Sequence, residues 1–505
     1  MENKKNISVI TLAMLMFMAV FGITNIANNY ANFGNSAIGW FILVGLYFIP
    51  LALIMSEMAT HKSCEDNNSG LASWITLGLG ETWGFIGAWC FFVANIFYLP
   101  TLASRVPVFL SWVFTAQFDT LEEVVVSGAQ VEGVMSATNN PTLFLGAAFV
   151  VVIISIIAAI YIENIFEFLG RYIGYVSLFI TFLFIILSLL AAPLLADVTI
   201  ANPITFDNAE VTGIIPSFSA ASLSTFAWVL FAIAGIETVG NYVGRINNPE
   251  KKVPKGILLA AATVIVAYIL GFIGMSFILT PDQVPITSLE NLLPIMYAQV
   301  GALWGFGPWF LKVTMFIFAI ITMTALVLWL TATVNFLFDR LPQGMLPEKL
   351  ANHRMNGIST FGLAFTSVMI FLCLILSNSA NGENVYSTLY SMSTIAVVLP
   401  YLLVGIAYIA FKVRGESGDY VVTNNKGVAI FLGVFVSVVS AIAVFFSTWD
   451  LSIEDMNERI EWLKLSGGGL LFFILVGVTF YARKESKLYM ILSLIATIVV
   501  GFFIF

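Results

Sequence analysis

The sequence predicts an all-α polytopic membrane protein, and three observations carry that reading. Apolar residues make up 59% of the 505 residues and charged residues only 10%, against about 45–50% and about 25% in a soluble domain. Mean hydropathy is +0.96. The apolar residues fall in continuous runs of about 20 or more, the length a helix needs to cross about 30 Å of hydrocarbon. Charge this sparse cannot cover a water-facing surface, so most of the surface faces lipid. The same runs exclude an outer-membrane barrel, whose strands alternate over about ten residues. The net charge of −8 gives no reason to expect a nucleic-acid partner. Cys64, Cys90 and Cys373 form no C-x-x-C pair, and His61 and His353 lie far apart in polar stretches, so neither a disulfide framework, a metal site nor a cofactor is expected.

The runs are 8–33, 37–59, 83–113, 142–162, 168–193, 219–243, 257–280, 305–336, 360–377, 387–411, 427–447 and 466–482. A last run, 488–505, is just long enough for a thirteenth span and short enough to lie along the surface instead. The first run is too long for a signal peptide and lacks a small-residue cleavage site. With a cytoplasmic N-terminus and alternating loops, the inside holds Lys4, Lys5, Lys62, Arg171, Arg245, Lys251, Lys252, Lys255, Arg340, Lys349, Arg354, Lys412, Arg414, Lys426, Arg483, Lys484 and Lys487. That is 17 of the 21 basic residues. Arg459 and Lys464 fall outside, and the outer loops carry Asp119, Glu122, Glu123, Glu132, Asp450, Glu454, Asp455, Glu458 and Glu461. Basic residues stay with the cytoplasmic loops, so this split sets the orientation. Arg105 and Lys312 fall toward the outer part of spans, where long side chains snorkel, and read as anchors or vestibule residues before ligands.

Two spans are interrupted. The first contains Phe21-Gly22-Ile23-Thr24-Asn25-Ile26-Ala27-Asn28-Asn29, and the sixth contains Phe231-Ala232-Ile233-Ala234-Gly235-Ile236-Glu237-Thr238-Val239-Gly240-Asn241. Each has a glycine beside polar residues in mid-span. Glycine alone also serves close helix packing. Two interruptions five spans apart, one with a carboxylate, are what two five-helix repeats of opposite orientation would show. Irregular backbone at membrane depth persists only beside protein or a cavity. Glu237 near mid-bilayer costs at least about 2.5–3.5 kcal/mol when charged. It is expected to couple protons or gate the cycle, or else to be a permanently protonated structural residue.

At these residues the chain resembles the amino acid–polyamine–organocation superfamily. The second span and its loop read Pro50-Leu51-Ala52-Leu53-Ile54-Met55-Ser56-Glu57-Met58-Ala59, then Ser69-Gly70-Leu71-Ala72-Ser73-Trp74, then Gly80-Glu81-Thr82-Trp83-Gly84-Phe85-Ile86-Gly87-Ala88-Trp89. Phe231 to Glu237 is similar to the family's unwound F-x-x-x-G-x-E segment. Asn247-Asn248-Pro249-Glu250-Lys251-Lys252-Val253-Pro254 is similar to its cytoplasmic loop, and the tenth span holds Leu399-Pro400-Tyr401-Leu402-Leu403. In order and spacing these cover roughly residues 8–410, and within the superfamily they look most like the glutamate/GABA-antiporter-type bacterial permeases.

The resemblance implies a 5+5 inverted repeat, with spans 1–5 in residues 1–193, spans 6–10 in residues 194–411 and accessory helices in 412–505. It implies alternating access around a mid-membrane amino-acid site. N–H groups at Gly22, Ile23, Thr24 and Asn25 would hold the substrate carboxylate, and carbonyls of Ala234, Gly235 and Ile236 its ammonium. The usual G-[SA]-G triplet is here Gly22-Ile23-Thr24, which leaves Thr24 or Asn25 to supply a side-chain donor. Residues 172–193 contain no lysine, so the span-5 lysine that replaces sodium in some relatives is absent. Asn95, Tyr98, Ser391 and Ser393 are expected at the side-chain end of the pocket, each also readable as a packing contact. No cation for an acidic substrate is evident at mid-depth.

The expected function is a multi-pass cytoplasmic-membrane transporter of an amino acid or amine, working by exchange or with protons. An amino acid/amine antiporter serving a decarboxylase is the alternative. A membrane enzyme would need a catalytic constellation that the separated histidines do not form. A channel would need rings of like residues or a filter repeat.

Overall fold

The computed structural model describes residues 7–65, 70–116, 141–161, 163–195, 199–209, 212–239, 246–280, 283–284, 289–338, 354–379 and 385–504. The predicted outer loop 114–141, the inner loop 337–359 and the segment before Pro249 lie largely outside these residues.

The first apolar run is two helices, α1 (Val9–Val20) and α2 (Ile23–Phe33), meeting at 54°. Ser8 caps α1 by accepting from the Thr11 N–H at 3.1 Å. Then come α3 (Ser36–Ala59), the short α4 (Leu71–Leu79) and α5 (Glu81–Thr115). The next helices are α6 (Pro141–Tyr161) and α7 (Glu163–Leu194). The sixth span begins as α8 (Ala220–Ser224) and α9 (Phe226–Phe231) and then leaves the α-helix. It is followed by α10 (Pro249–Ile278), α11 (Leu292–Leu303), α12 (Pro308–Phe338), α13 (Thr360–Ser379) and α14 (Val385–Val413). The chain closes with α15 (Lys426–Thr448), α16 (Met456–Leu463), α17 (Gly469–Glu485) and α18 (Lys487–Ile504), with a π-helical turn at Lys464–Gly468 between α16 and α17. Among the described residues nine helices are long and apolar enough to span a membrane, ten with the bent pair. The protein is an all-α, multi-pass membrane protein.

Two helices lie where the sequence suggested only connections. α11 is apolar and almost wholly buried. Its 12 residues rise only about 18 Å at 1.5 Å each, too short to cross. α4 starts after Gly70 and stops at Gly80, whose φ of +92° turns the chain into α5. A two-residue Asn356-Gly357 turn with both φ positive joins the strands Arg354–Met355 and Ile358–Ser359, as hairpin twist requires.

The centre of the bundle is α5, packed on α12, α14 and α4, while α10 packs on α1 and α3. α18 runs antiparallel along α17: Gly501 abuts Phe472, and Thr497 meets Thr479 at 3.3 Å. The last apolar run thus packs antiparallel against the helix that precedes it.

Glu57, at the end of α3, is fully buried. It is ion-paired with Lys412 of α14, accepts from the Tyr408 hydroxyl at 2.7 Å and accepts from the Val422 N–H at 3.1 Å. Lys412, counted from sequence as a loop cation, is a buried partner instead.

Candidate functional site

Polar groups gather where both interrupted spans leave the helix. Between α1 and α2, Phe21 and Gly22 take extended conformations. Gly22 has no side chain with which to cap α2, so the first N–H groups of α2 have no side-chain cap. In the sixth span, Ala232 to Gly235 form turns, Gly235 holds φ at +108°, and Ile236–Val239 is a single 3-10 turn. A Cβ on Gly235 would stand 2.5 Å from the Ala19 carbonyl oxygen. Close approach to α1 and a left-handed backbone both require glycine there.

One hydroxyl joins the two breaks. Tyr268 of α10 accepts from the Gly22 N–H at 3.3 Å and from Asn25 Nδ2 at 3.1 Å. Its single proton lies between the Ala232 carbonyl at 2.9 Å and the Val20 carbonyl at 3.1 Å. Asn25 Oδ1 in turn accepts from the Tyr390 hydroxyl at 2.9 Å. Asn25 is therefore held between two tyrosines, and one of its two side-chain N–H donors is committed to Tyr268. Thr24 Oγ1 accepts from Arg105 Nη1 at 3.2 Å.

A cavity of about 210 Å³ opens beside the breaks. Met18, Ala19, Val20, Phe21, Gly22 and Asn25 form one wall, with Phe91, Ala94, Asn95 and Tyr98 of α5 on another. Phe231, Ala234, Gly235 and Glu237 of the sixth span, Trp329, Ser393 and Val397 complete it. Glu237 Oε2 accepts from the Tyr401 hydroxyl at 2.8 Å and from the Gly235 N–H at 3.0 Å. On the far side, Tyr390 packs on Trp228 at 4.5 Å and on Phe231 at 5.1 Å, and Phe231 on Tyr98 at 5.6 Å between centroids.

Of the residues expected from sequence, Gly22, Asn25, Ala234, Gly235, Glu237, Asn95, Tyr98 and Ser393 line this cavity. The side chains of Ile23 and Ile236 are buried in the core, and Ser391 accepts from the Trp228 indole at 3.1 Å instead. Asn95 donates to the Phe91 carbonyl and Ser393 to the Ala94 carbonyl, so each keeps acceptor capacity. Arg105 departs from its expected place. It is 5% exposed and bonded beside the break, not snorkelling to the surface. Tyr268, Tyr390 and Trp228 carried no signal, because an aromatic residue in an apolar run reads as packing. Tyr401 stood in the quoted tenth-span motif without a role.

Residues 7–448 match the amino acid permease family. The chain is 23% identical over 496 residues to the aspartate/glutamate permease AcaP of Lactococcus lactis subsp. cremoris, covering 96% of this chain and 97% of the relative. It is 22% identical over 494 residues to the probable agmatine/putrescine antiporter AguD of Lactococcus lactis subsp. lactis, covering 96% of each. It is also 21% identical over 469 residues to the glutamate/gamma-aminobutyrate antiporter of Lactococcus lactis subsp. lactis, covering 87% of this chain and 84% of the relative.

Proposed function

The chain belongs to the amino acid permease family, and on that premise we propose that it moves an amino acid or related amine across the cytoplasmic membrane by alternating access, as a transporter and not an enzyme. The observation that carries the reading is the meeting of two broken spans at the Tyr268 hydroxyl beside the 210 Å³ cavity. In this reading the start of α2, at Gly22 to Asn25, takes the substrate carboxylate, since helix N-termini favour anions. The backbone at Ala234 to Ile236 takes the ammonium. Asn95, Tyr98 and Ser393 meet the side chain. Residues 1–193 and 194–411 act as the two inverted halves, 412–505 as accessory helices, and the N-terminus is cytoplasmic.

Exchange and proton coupling both fit this arrangement. The named cargoes of the relatives, acidic amino acids and amines, support an amino acid/amine exchange as the second reading. The test is uptake of a panel of labelled amino acids and amines into proteoliposomes, with and without internal counter-substrate and a pH gradient. Saturable uptake stimulated by one of these conditions is expected. Uptake equal to that of empty liposomes for the whole panel contradicts the reading.

A further inference from the structure

The cavity offers an ionisable partner at one place. Among the described residues that line it, Glu237 is the only aspartate, glutamate, lysine, arginine or histidine. That carboxylate belongs to the sixth-span break, where it takes the Gly235 N–H at 3.0 Å and the Tyr401 hydroxyl at 2.8 Å. It stands beside the backbone that receives the α-ammonium of the cargo. Arg105 donates to Thr24 at 3.2 Å, and neither residue is part of the cavity wall. A second carboxylate on the cargo would therefore lose its water at a wall with no cation. A side-chain ammonium would do so at a wall with no second carboxylate. Either desolvation is costly without a partner.

The rest of the wall is largely apolar and aromatic. α5 brings Phe91, Ala94, Asn95 and Tyr98 to it at helical spacing. Tyr98 meets Trp329 of α12 edge-on at 6.3 Å and Phe231 of the sixth span at 5.6 Å. Rings from three elements thus form one continuous surface. The two small polar side chains on this wall turn toward the backbone of α5: Asn95 donates to the Phe91 carbonyl at 2.8 Å and Ser393 to the Ala94 carbonyl at 2.9 Å. A dry apolar cavity of about 150 Å³ is enough to hold a benzene ring. The 210 Å³ here takes such a ring and leaves limited room for the amino-acid head at the two breaks.

We propose that the cargo is a neutral amino acid with a large apolar side chain, aromatic or branched aliphatic, which seats against Phe91, Tyr98 and Trp329. The proposal rests on the amino-acid transport reading above and names the class of cargo.

A panel of phenylalanine, leucine, alanine, glutamate, lysine and putrescine tests it. Equilibrium binding of each to the purified full chain is measured for the wild type, Trp329→Ala, Trp329→Phe and Phe91→Ala. The wild type binds phenylalanine and leucine about tenfold or more tightly than free alanine, as burial of a large apolar side chain gives. Glutamate, lysine and putrescine bind more weakly than either. Trp329→Ala narrows the preference for phenylalanine over free alanine by about fivefold or more, through lost ring contact and buried area. Trp329→Phe keeps a ring on the wall and restores most of that preference. Phe91→Ala narrows it from the α5 side, which carries the test should Trp329→Ala fail to fold. An unchanged preference in both alanine variants overturns the proposal. A wild type that binds free alanine, glutamate, lysine or putrescine more tightly than phenylalanine and leucine also overturns it and leaves the transport reading standing. A wild type that binds none of the panel overturns both.

Discussion

Gly235 and Tyr268 are the residues on which the site geometry turns, and their substitutions fail in different ways. Any side chain at Gly235 meets the Ala19 carbonyl and a φ of +108°. Gly235→Leu is expected to abolish binding, and Gly235→Ala to lower stability by about 1–3 kcal/mol through strain alone, read as a lower melting temperature of detergent-purified protein. Tyr268→Phe removes only an oxygen, but leaves the Asn25 amide and the Ala232 carbonyl without their shared partner. A cost of about 1–3 kcal/mol per unsatisfied buried group follows, with weaker substrate binding while the bundle stays folded. For Glu237, an ionised carboxylate at membrane depth is expensive and a protonated one much less so, so opening the site to water favours ionisation. Glu237→Gln imitates the protonated shape and is expected to keep binding while flattening the pH dependence of transport. A wild-type pH profile in that variant assigns Glu237 to structure.

The lock between α3 and α14 shows how elements are joined away from the cavity. Glu57 and Lys412 are both buried, and the carboxylate also takes the Tyr408 hydroxyl and the Val422 N–H. Lys412→Ala leaves a buried carboxylate uncompensated, a loss of about 3–5 kcal/mol. Glu57→Met with Lys412→Leu together is expected to recover most of it, because the apolar pair carries no desolvation penalty; thermal melts of the single and double variants check this. Elements of this kind divide sharply in their legibility. The interruptions of the first and sixth spans were readable, because Gly22 and Gly235 break apolar runs beside polar residues. α11 was not, because a 12-residue apolar helix that fails to cross has no signature distinct from a buried loop. Nor was the burial of Arg105 and Lys412, since an arginine toward the end of a span reads as snorkelling and a lysine just past one reads as a loop cation until neighbours from other spans are known.

At the scale of the whole molecule, the bundle wraps a small polar junction in a large apolar body. Composition was enough to identify that body, because lipid as solvent leaves no other way to satisfy so many apolar residues. The junction draws on residues from α1, α2, α5, the sixth span, α10 and α14, separated by hundreds of positions. No local pattern encodes such a meeting. The proposed orientation rests on the basic loops: a cysteine replacing Lys251 is expected to react with an impermeant thiol reagent only from the cytoplasmic side. Labelling from outside intact cells would overturn the assignment.

The central claim is that the cavity between the broken spans is the transport site. Asn95 lines it without holding the two breaks together, and the native cysteines Cys64, Cys90 and Cys373 are buried. Asn95→Cys, in a chain with those three replaced by alanine, gives the most direct measurement: the rate of alkylation by a small polar thiol reagent, with and without a saturating transported amino acid. Substrate is expected to slow alkylation by about tenfold or more, as competition at one site requires, and alkylated protein is expected no longer to transport. Alkylation at an unchanged rate in saturating substrate, with transport continuing afterwards, would place the pathway elsewhere.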